Sequence, residues 1–500
     1  MSDFRVVLAL LVAVVALATL ARRVHLPYPI VLVLGGLLLG LAPGLPQVRL
    51  EPDLILVLFL PPLVYGAAWQ VSPRDLWANL RSILLLAVGL VVATTLVVAL
   101  VSYLAIAELN LLPAFVLGAI VSPTDTVAAG AILGRLSVPR RIATVLEGES
   151  LINDATGLVA YSLALTAIAH NGAFSPPVAV LEFVRVSAGG AAIGLLVGIA
   201  AGWAQARIHE APVEITFSLL APFVAYLPAE ALGVSGVLAV VVAGLYGARQ
   251  EARVFSSESR LQAYAVWQTM TFVANGLIFI LVGLQLRGIV DDITPLYSLP
   301  RLLWYAMLVS LAVIGARIVW VLVSAALLPR RANPCVPPSA NRPDLRQALV
   351  LSWTGMRGGV SLAAALALTA GGALSRSQIG LITFLVFGVI LSTLLLQGLT
   401  LPLLIGRLDI ADEGTVEREE ALAHIEVSRV ALARLAEFPP TAGIAHLRHP
   451  LRGASPSLRY PTQRRGTGRC GRARRGGQPA GRRHAPPAPR VDHRRARRRS

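Results

Sequence analysis

Apolar residues fall in thirteen blocks along the first four hundred positions, near 4–21, 28–45, 53–70, 82–106, 111–135, 141–169, 177–206, 213–229, 232–249, 264–286, 302–328, 345–371 and 376–406. The blocks are about 17–31 residues long and are bounded by Arg, Pro or Gly, long enough for a helix to cross a bilayer. Lipid offers the backbone no other hydrogen-bond partner, so the blocks are expected to be helices. After residue 408 the pattern changes. Residues 409–450 alternate charged and apolar positions at a helical period and read as a cytoplasmic amphipathic helix. Residues 451–500 lose all periodicity, are rich in Arg, Gly, Pro and Ala, and are expected to be disordered.

Arginine placement orients the blocks. The odd-numbered loops hold fifteen arginines, among them Arg22, Arg23, Arg74, Arg81, Arg140, Arg141, Arg249, Arg253 and Arg260. The even-numbered loops hold five, Arg49, Arg185, Arg287, Arg301 and Arg376. Positive loops stay inside, so the N-terminus is expected outside and the C-terminus in the cytoplasm of a multi-pass plasma-membrane protein.

Composition narrows this further. Of the 500 residues 55% are hydrophobic and 14% charged, with a mean hydropathy of +0.69, which excludes a soluble globular domain. The formal charge of +17 does not point to nucleic acid, because the last fifty residues hold 16 arginines against one aspartate and contribute +15 of it. That tail reads either as a basic arm for anionic lipid or nucleic acid or as the frameshifted end of a GC-rich gene; the absence of lysine favours the second. The first block could be a cleaved signal, but Asp3 stands where a basic region belongs, so an uncleaved first helix is expected. Cys335 and Cys470 are too few for a disulfide framework. No Walker loop, nucleophile elbow, HExxH or CxxC occurs, so neither an enzyme nor a bound cofactor is indicated.

The candidate chemistry lies where polar residues interrupt apolar blocks at mid-depth. The sixth block carries EGESLINDATGL at 147–158, with Asn153 and Asp154 at its midpoint. Glu149 and Asn153 are four apart, as are Ser150 and Asp154, so a helix puts all four on one stripe that Gly157 continues. A charge at that depth costs roughly 2.5–3.5 kcal/mol or more, so the stripe should face protein or water. The fifth block carries VSPTDTVAAG at 121–130, where Pro123 removes a donor and Thr124–Asp125 follow. The twelfth carries SWTGMRGGVSLA at 352–363, with Arg357 among three glycines. Both read as interrupted helices, seven blocks apart, the inverted-repeat pattern of secondary transporters. Arg317 sits at the middle of the eleventh block, and Glu149 is its natural ion-pair partner, leaving Asp154 free to titrate. The Pro-Pro of FLPPLVYGAAW reads as a kink or as a helix lining a dimer face or funnel. Glu147, Glu214 and Glu230 read as interfacial, and Asn275 and Gln285 as packing in an otherwise apolar tenth block.

VSPTDTVA, GESLINDATGLV, LIFILVGLQL, ARIVW and SWTGMRGGVSLA together resemble the monovalent cation:proton antiporter family, in its bacterial sodium/proton antiporter form, over about residues 5–408. The resemblance implies an all-α fold of thirteen transmembrane helices, with a six-helix core around two crossed broken helices and a separate dimerisation domain that makes a homodimer. It implies that Asp154 binds proton and cation, with Asn153 beside it, and that Thr124, Ser150 and Glu149 complete a sodium site. Arg317 would hold Glu149, and Asp125 and Arg357 would belong to the crossed breaks. Asn-Asp, as here, resembles the electroneutral branch. In one departure, Tyr65–Gly66 stands where animal exchangers place an aromatic residue and a glutamate.

Chemistry alone supports the same expectation. Burial disfavours a carboxylate's charged form, so a buried acid can gain and lose a proton near working pH. An alkali cation wants oxygen ligands. One acid shared by two cations gives exchange, with Na+ and H+ as cargo and no cofactor. The alternatives are potassium/proton exchange on the same fold, a cation channel or uniporter, and a non-transporting sensor.

Overall fold

A computed structural model describes residues 2–41, 57–134, 136, 138–170, 176–208, 210–254, 257–327, 345–368, 374–408, 410 and 415–436. The described residues contain helices and turns and no strand. The tail expected to be disordered, both cysteines and several loop arginines lie outside them.

Helices α1 (Ser2–Arg23) and α2 (Tyr28–Leu41) are followed by α3 (Leu60–Gln70). Pro61 and Pro62 occupy the first turn of α3, where the missing donors have no intrahelical acceptor anyway. Residues 57 and 58 just before it are also helical and Phe59 has helical dihedrals, so the Pro-Pro pair sits at an interruption between two helical stretches. Helix α4 (Pro73–Leu84) begins on a Ser72 cap and continues through a π-helical turn, Leu85–Leu90, into α5 (Val91–Ala105). At the start of that turn the Leu85 carbonyl also accepts from the Trp320 indole at 3.0 Å.

The fifth block divides into α6 (Leu111–Val121) and α7 (Thr126–Leu133). Then come α8 (Arg140–Ala169), α9 (Pro176–Gln205), α10 (Ala211–Ala231), α11 (Gly236–Val254), α12 (Ser257–Ile293) and α13 (Leu299–Leu327). The twelfth block divides into α14 (Leu345–Trp353) and α15 (Gly359–Leu366), followed by α16 (Arg376–Leu408). A further helix, α17, occupies Thr415–Ala436.

Among the described residues, nine segments are long and apolar enough to cross a membrane, counting α4–α5 and α6–α7 as one each. The other apolar blocks are carried by shorter, more polar or interrupted helices: α2, α3, α11 and α14–α15.

Packing has two main centres. One joins α2, α5–α8, α12, α13 and α16 around residues such as Leu117, Phe279, Val309 and Phe387. The other joins α3, α10, α11 and the first half of α12 around Tyr65, Ala225, Val240 and Trp267, with Tyr65 stacked on Trp267 at 5.3 Å between ring centres. In an apolar solvent helices gain little from hiding apolar surface, so close backbone approach matters more. Gly36 of α2 and Gly283 of α12 supply it: a β-carbon on Gly283 would lie 2.6 Å from the Leu37 nitrogen. Glu214, expected at an interface, is instead buried at 3% exposure in α10. Its neighbourhood is polar: one turn on, Ser218 accepts from Trp267 at 3.1 Å.

Candidate functional site

The site is built from two interrupted helices, and each interruption has a local cause. Pro123 cannot donate to the preceding turn, so α6 stops at Val121 and the chain resumes as α7 after four residues. Asp125 caps α7, its Oδ1 accepting from the Val127 amide at 2.7 Å. In the other break the chain is unwound from Thr354 to Gly358. The two breaks touch: the Asp125 amide donates to the Met356 carbonyl at 2.8 Å.

That contact requires glycine. A β-carbon on Gly358 would collide with the Asp125 carboxylate, and one on Gly355 would collide with the side chain of Arg317. The three glycines read as an unwinding signal thus also make room for neighbours.

Charged side chains cover the helix ends exposed by the breaks. Asp125 lies at the N-terminus of α7 and against Gly358, which precedes α15, so it faces the positive end of both half-helices. Arg357 donates to the Ser122 carbonyl at the C-terminal end of α6. Its own amide donates to Thr393 of α16 at 3.2 Å. Arg317 closes α14, its Nε donating to the Leu351 carbonyl at 3.1 Å. The sequence pointed to the ion pair of Arg317 but not to its capping role.

The four polar residues of α8 do not act as one stripe. Glu149 and Asn153 turn into the protein, both 1% exposed. Ser150 and Asp154 face a cavity. One position along a helix rotates the side chain by about 100°, enough to send adjacent residues to different neighbours. The inward pair forms a directed chain. Asn153 Nδ2 donates to Thr124 Oγ1 at 2.6 Å, Thr124 Oγ1 donates to Glu149 Oε1 at 3.0 Å, and Arg317 holds both Glu149 oxygens, Oε2 at 3.0 Å. Both Glu149 oxygens are thus engaged, and Glu149 does not line the cavity.

The cavity measures about 430 Å³. Thr124, Asp125, Ser150 and Asp154 line it, as do the first residues of α7 and α15, Thr126, Gly359 and Val360. Asp154 makes no hydrogen bond or ion pair with any described residue, whereas Asp125 is tied to Val127. Helix α3 forms an apolar wall through Leu60, Leu63, Val64 and Ala67. Gln70, Val71, Glu147 and Tyr264 mark the end of the cavity at which Arg74, Arg140 and Arg260 also lie. Glu147 is exposed there.

Two cavity residues, Thr271 and Asn275 of α12, escaped the sequence reading, which took Asn275 for packing. Asn275 is at the midpoint of the 264–286 block, the depth that singles out Asp154, but it stands there as a lone amide.

Comparison with known proteins gives a consistent picture. The sequence matches the family described as sodium/hydrogen exchanger, transmembrane, over residues 8–406. It is 37% identical over 443 residues to an uncharacterized Na+/H+ exchanger of Mycobacterium tuberculosis, covering 88% of this chain and 81% of that one. It is 34% identical over 416 residues to a sodium, potassium, lithium and rubidium/H+ antiporter of Bacillus pumilus, covering 81% of this chain and 61% of that one. The fold is similar to that of the sodium proton antiporter MjNhaP1 from Methanocaldococcus jannaschii, with a TM-score of 0.61 at 20% identity, over 80% of this chain and 99% of that one.

Proposed function

The chain belongs to the sodium/hydrogen exchanger family, and from that premise we propose how its residues exchange sodium for protons across a membrane. It is a multi-pass secondary transporter and not an enzyme. The carrying observation is Asp154, a carboxylate in the middle of α8 that lines the cavity and has no partner among the described residues. Proton and sodium compete for it. Thr124 and Ser150 offer further oxygens in the same cavity, and the ends of the broken helices lie beside it.

Glu149, Asn153 and Arg317 hold Thr124 in place and are not themselves ligands in this arrangement. Asp125 and Arg357 keep the breaks open by covering their helix ends. An empty, charged Asp154 is the unfavourable species to carry between the two sides, because burying an uncompensated charge is expensive. Only the proton-loaded and sodium-loaded forms cross readily, and alternation between them is exchange.

One titrating acid next to a neutral amide favours one proton for one sodium ion, hence electroneutral exchange. Thirteen crossings, an inverted repeat, a plasma-membrane location and a homodimer belong to the same reading. With the arginine-bearing end in the cytoplasm, the cavity opens inward. The test is proton-driven sodium uptake into proteoliposomes with and without valinomycin. Electroneutral exchange is expected to run at the same rate whether or not a potential can build up. A rate that follows the imposed potential defeats the one-for-one reading, and sodium flux without any proton gradient would indicate a uniporter.

A second ion deserves the same measurement, since the Bacillus pumilus relative's name includes potassium, lithium and rubidium. Uptake compared across these cations sets the preference of this chain.

A further inference from the structure

The oxygens assigned so far come from α6–α7, their connecting break and α8. A dehydrated hard cation is satisfied by oxygens arranged around it, not on one side of it. The cavity has a second wall, in which α3 contributes mainly aliphatic side chains, Leu60, Leu63, Val64 and Ala67, and α12 contributes Thr271, Asn275, Ile278 and Phe279.

Two of the α12 residues are out of place in an apolar wall. Asn275 is 6% exposed, lines the cavity and makes no hydrogen bond with any described residue. Its amide has no partner among the described residues and is reachable from the cavity, so whatever satisfies its hydrogen-bonding groups comes from the cavity. Thr271 lies one turn earlier on the same helix, and its Oγ1 is buried without a partner. Residues four apart share a helix face, so Thr271 continues the polar face of Asn275 by one turn. Gly66 of α3 leaves the space for it: a β-carbon there would come within 3.2 Å of Thr271 Oγ1.

We propose that Asn275, assisted by Thr271, forms the far half of the cation site, supplying side-chain oxygen to the partly dehydrated ion and setting which alkali cation is preferred. This rests on the exchange reading centred on Asp154 and adds to it a second helix that senses the ion. Neutral oxygens suit the role. They discriminate by spacing and by how easily they displace water, and they leave the charge balance of the exchange to Asp154. Because α12 is seamed to α2 through Gly36 and Gly283, a cation bridging α8 and α12 would also report its presence to a wall outside the broken helices.

The test compares wild type with Asn275→Leu, Asn275→Ser and Thr271→Val in proteoliposomes, measuring kcat and KM for sodium, potassium and lithium. Asn275→Leu is expected to raise the sodium KM about tenfold and to change the sodium-to-potassium preference, while proton coupling persists. Thr271→Val should move both in the same direction by a smaller factor, and Asn275→Ser should retain part of the affinity. Should Asn275→Leu fail to insert or fold, the same criterion applies to the two milder variants. Sodium KM and cation preference within twofold of wild type in all folded variants overturns the role of Asn275 while leaving exchange at Asp154 intact. Unaltered sodium/proton exchange by Asp154→Asn would instead remove the reading on which this inference stands, and the inference with it.

Discussion

Arg317 and Glu149 form a two-pronged ion pair in which each side chain is 1% exposed. The pair connects α13 to α8, and Arg317 reaches on to the Leu351 carbonyl at the end of α14. Breaking such a pair by removing one partner leaves a buried charge without compensation and costs about 3–5 kcal/mol. Arg317→Met is therefore expected to lower the unfolding temperature in detergent strongly, and Glu149→Gln should do so as well. The double variant Glu149→Gln/Arg317→Met should recover part of the loss. Equal additive losses would show that the two side chains do not act together. Arg317→Lys should not restore stability, because one ammonium cannot reach two carboxylate oxygens and a carbonyl in one geometry.

Asp154 has the opposite character, with no partner to lose. Asp154→Asn is expected to elute as a folded protein with an unfolding temperature at or above that of wild type. It should show no proton-driven sodium uptake. A variant that is folded and still exchanges would assign the chemistry to another acid, with Asp125 and Glu147 the remaining carboxylates of the cavity.

Competition at one acid also fixes a pH dependence. Lowering the pH on the cavity side loads Asp154 with protons and excludes sodium, so the sodium KM should rise as pH falls. The slope approaches about tenfold per pH unit once the protonated form dominates, by linkage of two ligands that exclude one another. Saturating sodium should restore the rate. A KM independent of pH, with only the maximal rate changing, would mean that proton and sodium bind at separate places.

Gly358 tests the contact between the breaks. A β-carbon there would overlap the Asp125 carboxylate, which is held by its cap on α7 and cannot simply swing away. Gly358→Ala is expected to destabilise the protein by about 1–3 kcal/mol, as other forced insertions into packed sites do. It should abolish exchange even at temperatures where the variant is folded. Wild-type rates in Gly358→Ala would show that the breaks are not held in register by this approach.

The helical blocks and both interruptions could be read from the sequence, because mid-membrane polarity, proline and clustered glycine each have a direct physical meaning. The pairing of Arg317 with Glu149 was legible too, since two opposite charges at the same depth have few other partners. What could not be read was direction around a helix. Glu149 and Ser150 are neighbours in the chain but face a buried arginine and a cavity respectively, which only the packing of α8 decides. Asn275 was missed for a different reason: a single amide in an apolar block carries the same sequence signal whether it packs or lines a cavity. Glu214 misled because proximity to a block's end suggested water where α10 is in fact covered.

A main-chain hydrogen bond joins the two interrupted helices, from the Asp125 amide to the Met356 carbonyl. Straightening either helix through its gap would strand a polar group of the other, so neither can be repaired alone. Among related chains, residues 122–125 and 355–358 should consequently drift in concert, an imprint that aligned sequences would carry without any transport assay.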